Sequence, residues 1–572
     1  MKVKKNNAYL LLSLIFLVAI AASILVFNPI KSVIQSRTDY GFVAVPELEN
    51  YFTDKQYKID IKNYEIDLEL FTEDEMISAE VVIKGVYKDS SLKQIDLNFY
   101  DNMEIKSILL NDMAVEYIHD NYRLSIFDDD KISEEFKIEI SYSGSPQSLG
   151  MGSFNFDEEY EREYVYTLSE PVYASSWFPC NDLPNDKALA RIKITNDSSA
   201  VSISNGILEN IEIENDKKTF TWQTIYPIST YLIAIYSGKY KKFTQQYTNI
   251  GGKKVNFDYY VSPEKYEFAK IDFDFHPKIF EIFEDLFGEY PFIDEKYSVV
   301  EFFWPYGAME HQTVTGMSSR FIGGKNFFRD IYIHEVAHHW WGNAVGPETW
   351  KDVWLNEGFA TYSEALYYEK VSGYSSLVST LRTKFRDYTE YTLYDPGPNM
   401  FGSMVYNKGA WVLHMLRKEV GDDDFFTLLR NYFETYKYKN ASTENLKTLA
   451  EEISGKDLKT FFDQWIYYGK GLILIEYDEE ITELKNSYET KLKISQMHEE
   501  YGAYHFPLDI EIKSNGGVKK DFNFYITSLD TNLIFNTKFK PAEITLDPDS
   551  WLMAIISKSF VDEEIAEEEI EN

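Results

Sequence analysis

At 572 residues the chain is too long for one ordinary domain, and its 44% hydrophobic content is enough to build several buried cores. The formal net charge of −36 argues against nucleic acid as a partner, because most of the surface would repel a phosphate backbone. The single cysteine, Cys180, excludes an intramolecular disulfide and a thiolate cluster, so a metal site would need histidine and carboxylate ligands.

The first predicted element is a membrane helix. Three lysines precede an almost unbroken apolar run over residues 9–27, about the length that spans a bilayer. This pattern predicts a cytoplasmic stub and transmembrane anchor within residues 1–36, with the remaining chain held outside the cell as a single-pass protein of the cell membrane. The alternative is a secreted protein, cleaved near Ala21 and Ala22, but that cut would leave apolar residues on the mature end.

Three globular domains are predicted after the anchor. Short alternating strands indicate an all-β sandwich at residues 40–245, and helical periodicity then predicts a mainly helical α+β domain at 246–470. Alternation returns after Gly469 and indicates a small C-terminal β-sandwich at 471–558, followed by an acidic, solvated tail at 559–572. Within the second domain a strand is predicted at 297–303, and helices at 265–287, 330–341, 357–372, 422–438, 443–453 and 457–468.

The strongest chemical signal is the segment His334-Glu-Val-Ala-His338. A four-residue separation places both imidazoles on one face of a helix, where they can reach a single ion. Glu357, on the next predicted helix, supplies a third ligand and leaves a fourth position open for water, as catalytic zinc requires. We therefore expect one Zn²⁺ per chain, with Glu335 as the general base, whereas His339 points elsewhere and is interpreted as a packing residue.

Further segments extend this pattern: Ser169-Glu170-Pro171, Gly307-Ala308-Met309-Glu310, and Tyr406-Asn-Lys-Gly409. Taken together in this order, the segments resemble the aminopeptidase N family of gluzincin zinc metallopeptidases. The resemblance implies a saddle-like N-terminal β domain followed by a thermolysin-like catalytic domain. It also implies an aminopeptidase that acts on peptides with a free N-terminus.

The resemblance assigns roles to residues that spacing alone does not. It implies that Tyr406 stabilises the tetrahedral intermediate and that Glu310 and Glu170 hold the α-ammonium group of the substrate. Gly307, Ala308 and Met309 would belong to the substrate-binding strand.

The chain departs from the family pattern in two places. His311 stands where the family typically has asparagine, which we interpret as a substitution within the substrate strand, the alternative being a second metal ligand. The large helical C-terminal domain of many relatives is not expected, which predicts a more open cleft. The sequence leaves three other functions open: a metallo-endopeptidase, a binding module that has lost activity, and a zinc hydrolase acting on another bond such as an epoxide.

Overall fold

The computed structural model describes residues 48–128, 133–146, 152–498 and 501–559. The predicted membrane anchor and the acidic tail lie outside these ranges. Within them, no helix is both long enough and apolar enough to cross a membrane.

The N-terminal domain is built from fifteen strands, preceded by the short helix α1 (Leu48–Tyr51). Side chains of the first two strands alternate between buried and exposed, which is the pattern that predicted a sandwich. The strands are β1 Ile59–Phe71, β2 Met76–Tyr87, β3 Gln94–Asn98, β4 Met103–Leu110, β5 Met113–Ala114, β6 Tyr117–Asp120, β7 Arg123–Phe127, β8 Glu135–Gly144, β9 Ser153–Glu159, β10 Arg162–Leu168, β11 Leu189–Asp197, β12 Val201–Ile203, β13 Ile207–Glu214, β14 Lys217–Gln223 and β15 Tyr236–Gly238.

These strands form an eight-stranded sheet, in the order β13-β14-β11-β1-β2-β8-β4-β5, with two smaller sheets, β12-β15-β10-β9 and β3-β7-β6. Strands β1 and β11 pair in parallel, whereas their other neighbours in the large sheet are antiparallel. The sheet that contains β10 and β15 packs against the second domain, since Tyr166 and Tyr236 contact the ring of Phe302.

The second domain begins with a five-stranded sheet in the order β16-β17-β18-β20-β19. Its strands are β16 Lys241–Thr248, β17 Lys254–Val261, β18 Tyr297–Phe302, β19 Ala308–Met309 and β20 Val314–Ser318. Of these five strands, only β18 was predicted, at residues 297–303. Strand β16 crosses the predicted domain boundary at residue 245, and its pairing with β17 places it in the second domain. The two-residue strand β19 lies at the edge of the sheet and carries part of the candidate substrate site.

The helices of this domain are α2 Tyr266–Asp272, α3 His276–Phe287, α4 Arg329–Ala337, α5 Trp354–Ser372, α6 Tyr374–Thr383, α7 Ser403–Val420, α8 Asp422–Tyr436, α9 Thr443–Ser454 and α10 Lys459–Phe462, with a π-helical turn at Asp463–Tyr467. Two further short strands, β21 Val345–Pro347 and β22 Lys439–Ala441, pair in parallel within this domain.

The predicted helix at 265–287 is two helices, α2 and α3, separated at residues 273–275, and Pro277 lies in the first turn of α3. Helices α6 and α7 were not predicted. Most of α7 is buried, so its sequence lacks the polar stripe that marks a surface helix.

The C-terminal domain consists of two small sheets, β27-β24-β23-β29 and β26-β25-β28. Its strands are β23 Ile473–Glu483, β24 Tyr488–Gln496, β25 Phe506–Lys513, β26 Lys519–Ile526, β27 Asp530–Thr537, β28 Glu543–Leu546 and β29 Ala554–Lys558. The domain packs against α7, where Trp551 stacks on His414 with ring centroids 4.6 Å apart. The buried Lys408 donates a hydrogen bond of 3.0 Å to the carbonyl of Gly469 at the domain junction.

Candidate metal centre and substrate site

Two imidazoles and one carboxylate meet where α4 and α5 pack together. His334 lies in the last turn of α4, and His338 follows directly after the helix end with a helical backbone. Glu357 lies in the first turn of α5 and is only 2% exposed. The structure therefore brings together the three residues that the sequence predicted as metal ligands.

The three ligand atoms form a nearly equilateral triangle. The two Nε2 atoms are 3.0 Å apart, and Glu357 Oε2 lies 3.3 Å from His334 Nε2 and 3.4 Å from His338 Nε2. Zinc bonds of about 2.0–2.1 Å in a tetrahedron place the ligand atoms about 3.3–3.4 Å from one another. The spacing and the donor types therefore fit a zinc ion, with a fourth position left for water or substrate.

The outer nitrogen of each imidazole has its own partner, which orients the inner nitrogen towards the triangle. His338 Nδ1 lies 2.9 Å from the carbonyl of Trp341, and His334 Nδ1 lies 2.9 Å from Glu364 Oε1. Lys384 Nζ, 2.8 Å from the other oxygen of Glu364, balances its charge. Such outer partners fix the tautomer and increase the basicity of a ligating histidine.

Sequence reasoning did not identify Glu364 in this supporting role. The signal for Glu364 was available: it lies seven residues after Glu357, two turns along the same helix face.

We expect Glu364→Gln to weaken zinc affinity by about 10- to 100-fold, because an amide is a poorer acceptor for the His334 N–H. Competition with a fluorescent zinc chelator measures this affinity directly. Glu369→Gln, on the same helix but paired with Arg417, is the matched control and should retain the parent affinity. An unchanged affinity in Glu364→Gln would contradict this role.

Glu335 lies close enough to His334 and His338 to interact with both electrostatically, and its buried Oε2 has no hydrogen-bond partner. Burial raises the pKa of Glu335 to about 8; His334 and His338 oppose the rise, and Glu310 adds to it. A carboxylate whose pKa lies near neutrality is suited to take up and release a proton.

Two further carboxylates lie beside the triangle. Glu170 comes from the N-terminal domain and Glu310 from the end of strand β19, and oxygens of both lie within 4.8 Å of each other and of Glu357. Each has an oxygen, Oε1, without a hydrogen-bond partner. Burial raises the pKa of both groups, that of Glu170 well above its ordinary value, and Glu357 adds to the rise in each. Glu310 Oε1 lies 4.0 Å from His338 Nδ1, too far for a hydrogen bond, so each carboxylate keeps an unsatisfied oxygen, which favours a bound cation.

The strand that carries Glu310 is fixed from both domains. Asn343, from the turn after α4, donates a hydrogen bond of 2.7 Å to the backbone carbonyl of Glu310. Lys187, from the N-terminal domain, in turn donates a bond of 2.6 Å to the backbone carbonyl of Asn343. Gly307, Ala308 and Met309 lead along the sheet edge into this position.

Tyr406 lies on the other side of the triangle, in the first turn of α7, and its half-buried ring stacks on His334 with centroids 5.8 Å apart. The approach depends on two facing glycines, because a Cβ atom at Gly409 would lie 2.8 Å from the Cα of Gly358. This close crossing of α7 and α5 sets the positions of Tyr406, three residues before Gly409, and of Glu357, next to Gly358.

Comparison with known proteins agrees with this geometry. Residues 61–232 match the Peptidase M1 N-terminal domain, and residues 271–465 match the Peptidase family M1 domain. The chain belongs to peptidase family M1. The resemblance to the aminopeptidase N family is thereby confirmed.

Curated M1 relatives include probable aminopeptidase 2 of Sulfurisphaera tokodaii, 28% identical, with 58% of this chain and 44% of that protein covered. Aminopeptidase N of Lactococcus lactis is 27% identical, with 71% of this chain and 50% of that protein covered. The chain spans about half the length of the curated relatives it matches.

Solved structures share the M1 fold. Legionella pneumophila aminopeptidase A superposes with a TM-score of 0.80 at 18% identity, covering 91% of this chain and 61% of that one. An M1 zinc metallopeptidase from Deinococcus radiodurans gives 0.64 at 24% identity, covering 71% of this chain and 93% of that one.

His311, the departure from the M1 motif, lies in the core. Its Nδ1 is 2.7 Å from the hydroxyl of Tyr236 on strand β15, and burial lowers its pKa to about 3, so the ring is neutral. Among the described residues, neither group of potential metal ligands contains His311. It therefore links the substrate strand to the N-terminal domain. His339 is buried and packs against Tyr290 and Tyr297, which confirms its interpretation as a packing residue.

Proposed function

We propose that this protein is a zinc aminopeptidase, which releases the N-terminal residue of peptides that carry a free α-amino group. The observation that supports this most strongly is the pair of unpaired carboxylates, Glu170 and Glu310, beside the triangle of potential metal ligands. A peptide ammonium group would neutralise both and complete their hydrogen bonding.

The position of this pair also explains cleavage after the first residue. With the ammonium group held by Glu170 and Glu310, the first peptide bond is the one that reaches the triangle. An internal peptide segment has no positive charge at this point and would leave both carboxylates unpaired. Among M1 structures, a Deinococcus radiodurans enzyme, 23% identical to this chain, was solved with a Tyr-Ser-Ala substrate.

We assign His334, His338 and Glu357 as the ligands of one zinc ion per chain. When bound, zinc polarises the scissile carbonyl and lowers the pKa of a bound water towards neutrality. Glu335 takes a proton from the attacking water and delivers it to the leaving amine. The Tyr406 hydroxyl donates a hydrogen bond to the oxyanion that develops on the carbonyl oxygen.

Glu310→Gln tests the carboxylate pair. We expect kcat/KM for leucyl-coumarinylamide to fall by about 100-fold, because the variant loses a buried, charge-assisted contact with the substrate ammonium group. The measurement compares leucyl-coumarinylamide with N-acetyl-leucyl-coumarinylamide, each with zinc supplied and with zinc chelated. Glu267→Gln, whose side chain is 75% exposed, is the control and should match the parent protein.

Two results would contradict the assignment. Cleavage of N-acetylated peptides at internal bonds, with an equal loss in Glu310→Gln, would identify a metallo-endopeptidase. No hydrolysis of any peptide by zinc-loaded protein would favour a binding module or another zinc-dependent hydrolase.

A further inference from the structure

The turn that begins with Glu310 is held by the N-terminal domain at each of its next three residues. Residues 310–313, here called the Glu310 turn, connect β19 to β20. The three contacts are the 2.7 Å pair of the His311 ring with the Tyr236 hydroxyl, a 2.7 Å hydrogen bond from the Asn205 amide to the Gln312 carbonyl, and a 3.0 Å bond from the Gly206 N–H to the Thr313 hydroxyl. The N-terminal domain thus fixes this turn residue by residue.

The backbone of the Glu310 turn is strained and depends on such support. Thr313 has a φ angle of +66°, in the left-handed region that a β-branched residue rarely adopts. A conformation of this kind persists only where the surrounding contacts determine it, and it occurs most often at functional sites. Lys296 adds a further hydrogen bond of 3.2 Å to the Thr313 hydroxyl. The place of the Glu310 carboxylate, at the start of the turn, therefore depends on these contacts.

The pair formed by His311 and Tyr236 lies next to Glu310 and joins two fully buried side chains. Within the described part of the chain, the other ring nitrogen of His311, Nε2, has no hydrogen-bond partner. The Tyr236 hydroxyl can reach the ring because residue 316 on β20 is a glycine, where a Cβ atom would lie 2.3 Å from the hydroxyl oxygen. The ring of His311 therefore has this one polar contact to hold it.

We propose that His311 and Tyr236 are positioning residues for the substrate ammonium group, because their hydrogen bond holds Glu310 where it meets that group. This inference rests on the proposed function, in which Glu310 binds the ammonium group. Asparagine, typical of the family at position 311, carries a polar atom on Cγ, as histidine carries Nδ1. Either residue can thus bond to Tyr236, whereas an apolar residue would leave the buried hydroxyl unpaired.

Tyr236→Phe tests this role, because it removes the hydroxyl and keeps the ring. We expect KM for leucyl-coumarinylamide to rise about tenfold with kcat within threefold of the parent value, since a displaced Glu310 weakens ammonium binding equally in the ground state and the transition state. Zinc affinity, measured by chelator competition, should not change. His311→Leu should reproduce the rise in KM, and His311→Asn should keep KM within threefold of the parent value.

Two comparisons show whether the effect passes through Glu310. In the Glu310→Gln background, Tyr236→Phe should change kcat/KM by less than about twofold, because the carboxylate that it positions is already lost. Tyr166→Phe is the matched control, since this buried tyrosine contacts the same Phe302 ring and its hydroxyl bonds to Asp157 within the N-terminal domain. It should keep the parent KM.

The possible failures are distinguishable. An unchanged KM in Tyr236→Phe and His311→Leu, a tenfold loss that persists in the Glu310→Gln background, or a loss of zinc from these variants would overturn the positioning role alone. A zinc-loaded parent protein that does not hydrolyse leucyl-coumarinylamide would overturn the proposed function, and the positioning role with it.

Discussion

Glu335→Gln should lower kcat for aminoacyl substrates by about 10³-fold while zinc content stays near one ion per chain. Glutamine keeps the size of the side chain but cannot accept a proton at neutral pH. Glu335 takes no part in the His334, His338 and Glu357 triangle, so the metal ligands are unchanged. Steady-state kinetics together with metal analysis of the same preparation provide the measurement.

A matched control separates the loss of a base from the loss of any buried carboxylate. Glu301 is also buried, but it accepts a hydrogen bond from the backbone N–H of Ser262. We expect Glu301→Gln to retain kcat within a few-fold, since this residue has no assigned part in proton transfer. A loss of less than tenfold in Glu335→Gln, or loss of zinc with activity, would contradict the role of Glu335 as the base.

Gly409→Ala is the second variant with a large expected effect. The new methyl group would lie 2.8 Å from the Cα of Gly358, a backbone atom that can move only if helix α5 or α7 shifts. Overpacking of this kind costs about 1–3 kcal/mol of stability. A displacement of about 1 Å between Tyr406 and the metal ligands would lower kcat by about 100-fold.

Thermal unfolding and kcat at 25 °C, measured on the same sample, separate lost stability from lost alignment. Gly502→Ala is the control, because a Cβ atom there meets nothing within 4 Å, and it should behave as the parent protein. If Gly409→Ala remains folded with kcat within threefold of the parent value, the helix crossing does not position Tyr406.

The grouping of the three proposed metal ligands could be predicted because local geometry determines most of their arrangement. His334 and His338 are one helical turn apart in any helix, and the position of Glu357 followed from a recognisable segment. Helical spacing places Glu364 on the same face as Glu357, but its contact with His334 depends on how α4 packs against α5 and does not follow from spacing alone. The link between His311 and Tyr236 joins two domains and leaves no trace in local sequence.

An N-terminal β domain followed by a mainly helical domain could be predicted from the sequence, whereas several elements around the site were missed. Helix α7 is buried on most sides, and strand β19 is only two residues long, so neither produces a clear periodic pattern. Both elements depend on tertiary contacts: α7 on the approach of Gly409 to Gly358, and β19 on its pairing with β20.

Glu170 comes from the N-terminal domain, so the proposed substrate-binding carboxylates are divided between the two domains. All three proposed metal ligands and the proposed base belong to the second domain, whereas Glu170 of the carboxylate pair comes from the first. Lys187 of the first domain also supports Glu310, through Asn343. Under the proposed function, the second domain therefore supplies the chemistry of bond cleavage, and both domains together select the bond that is cleaved. We then expect a change in how the two domains dock to alter the cleavage position before it alters the chemistry.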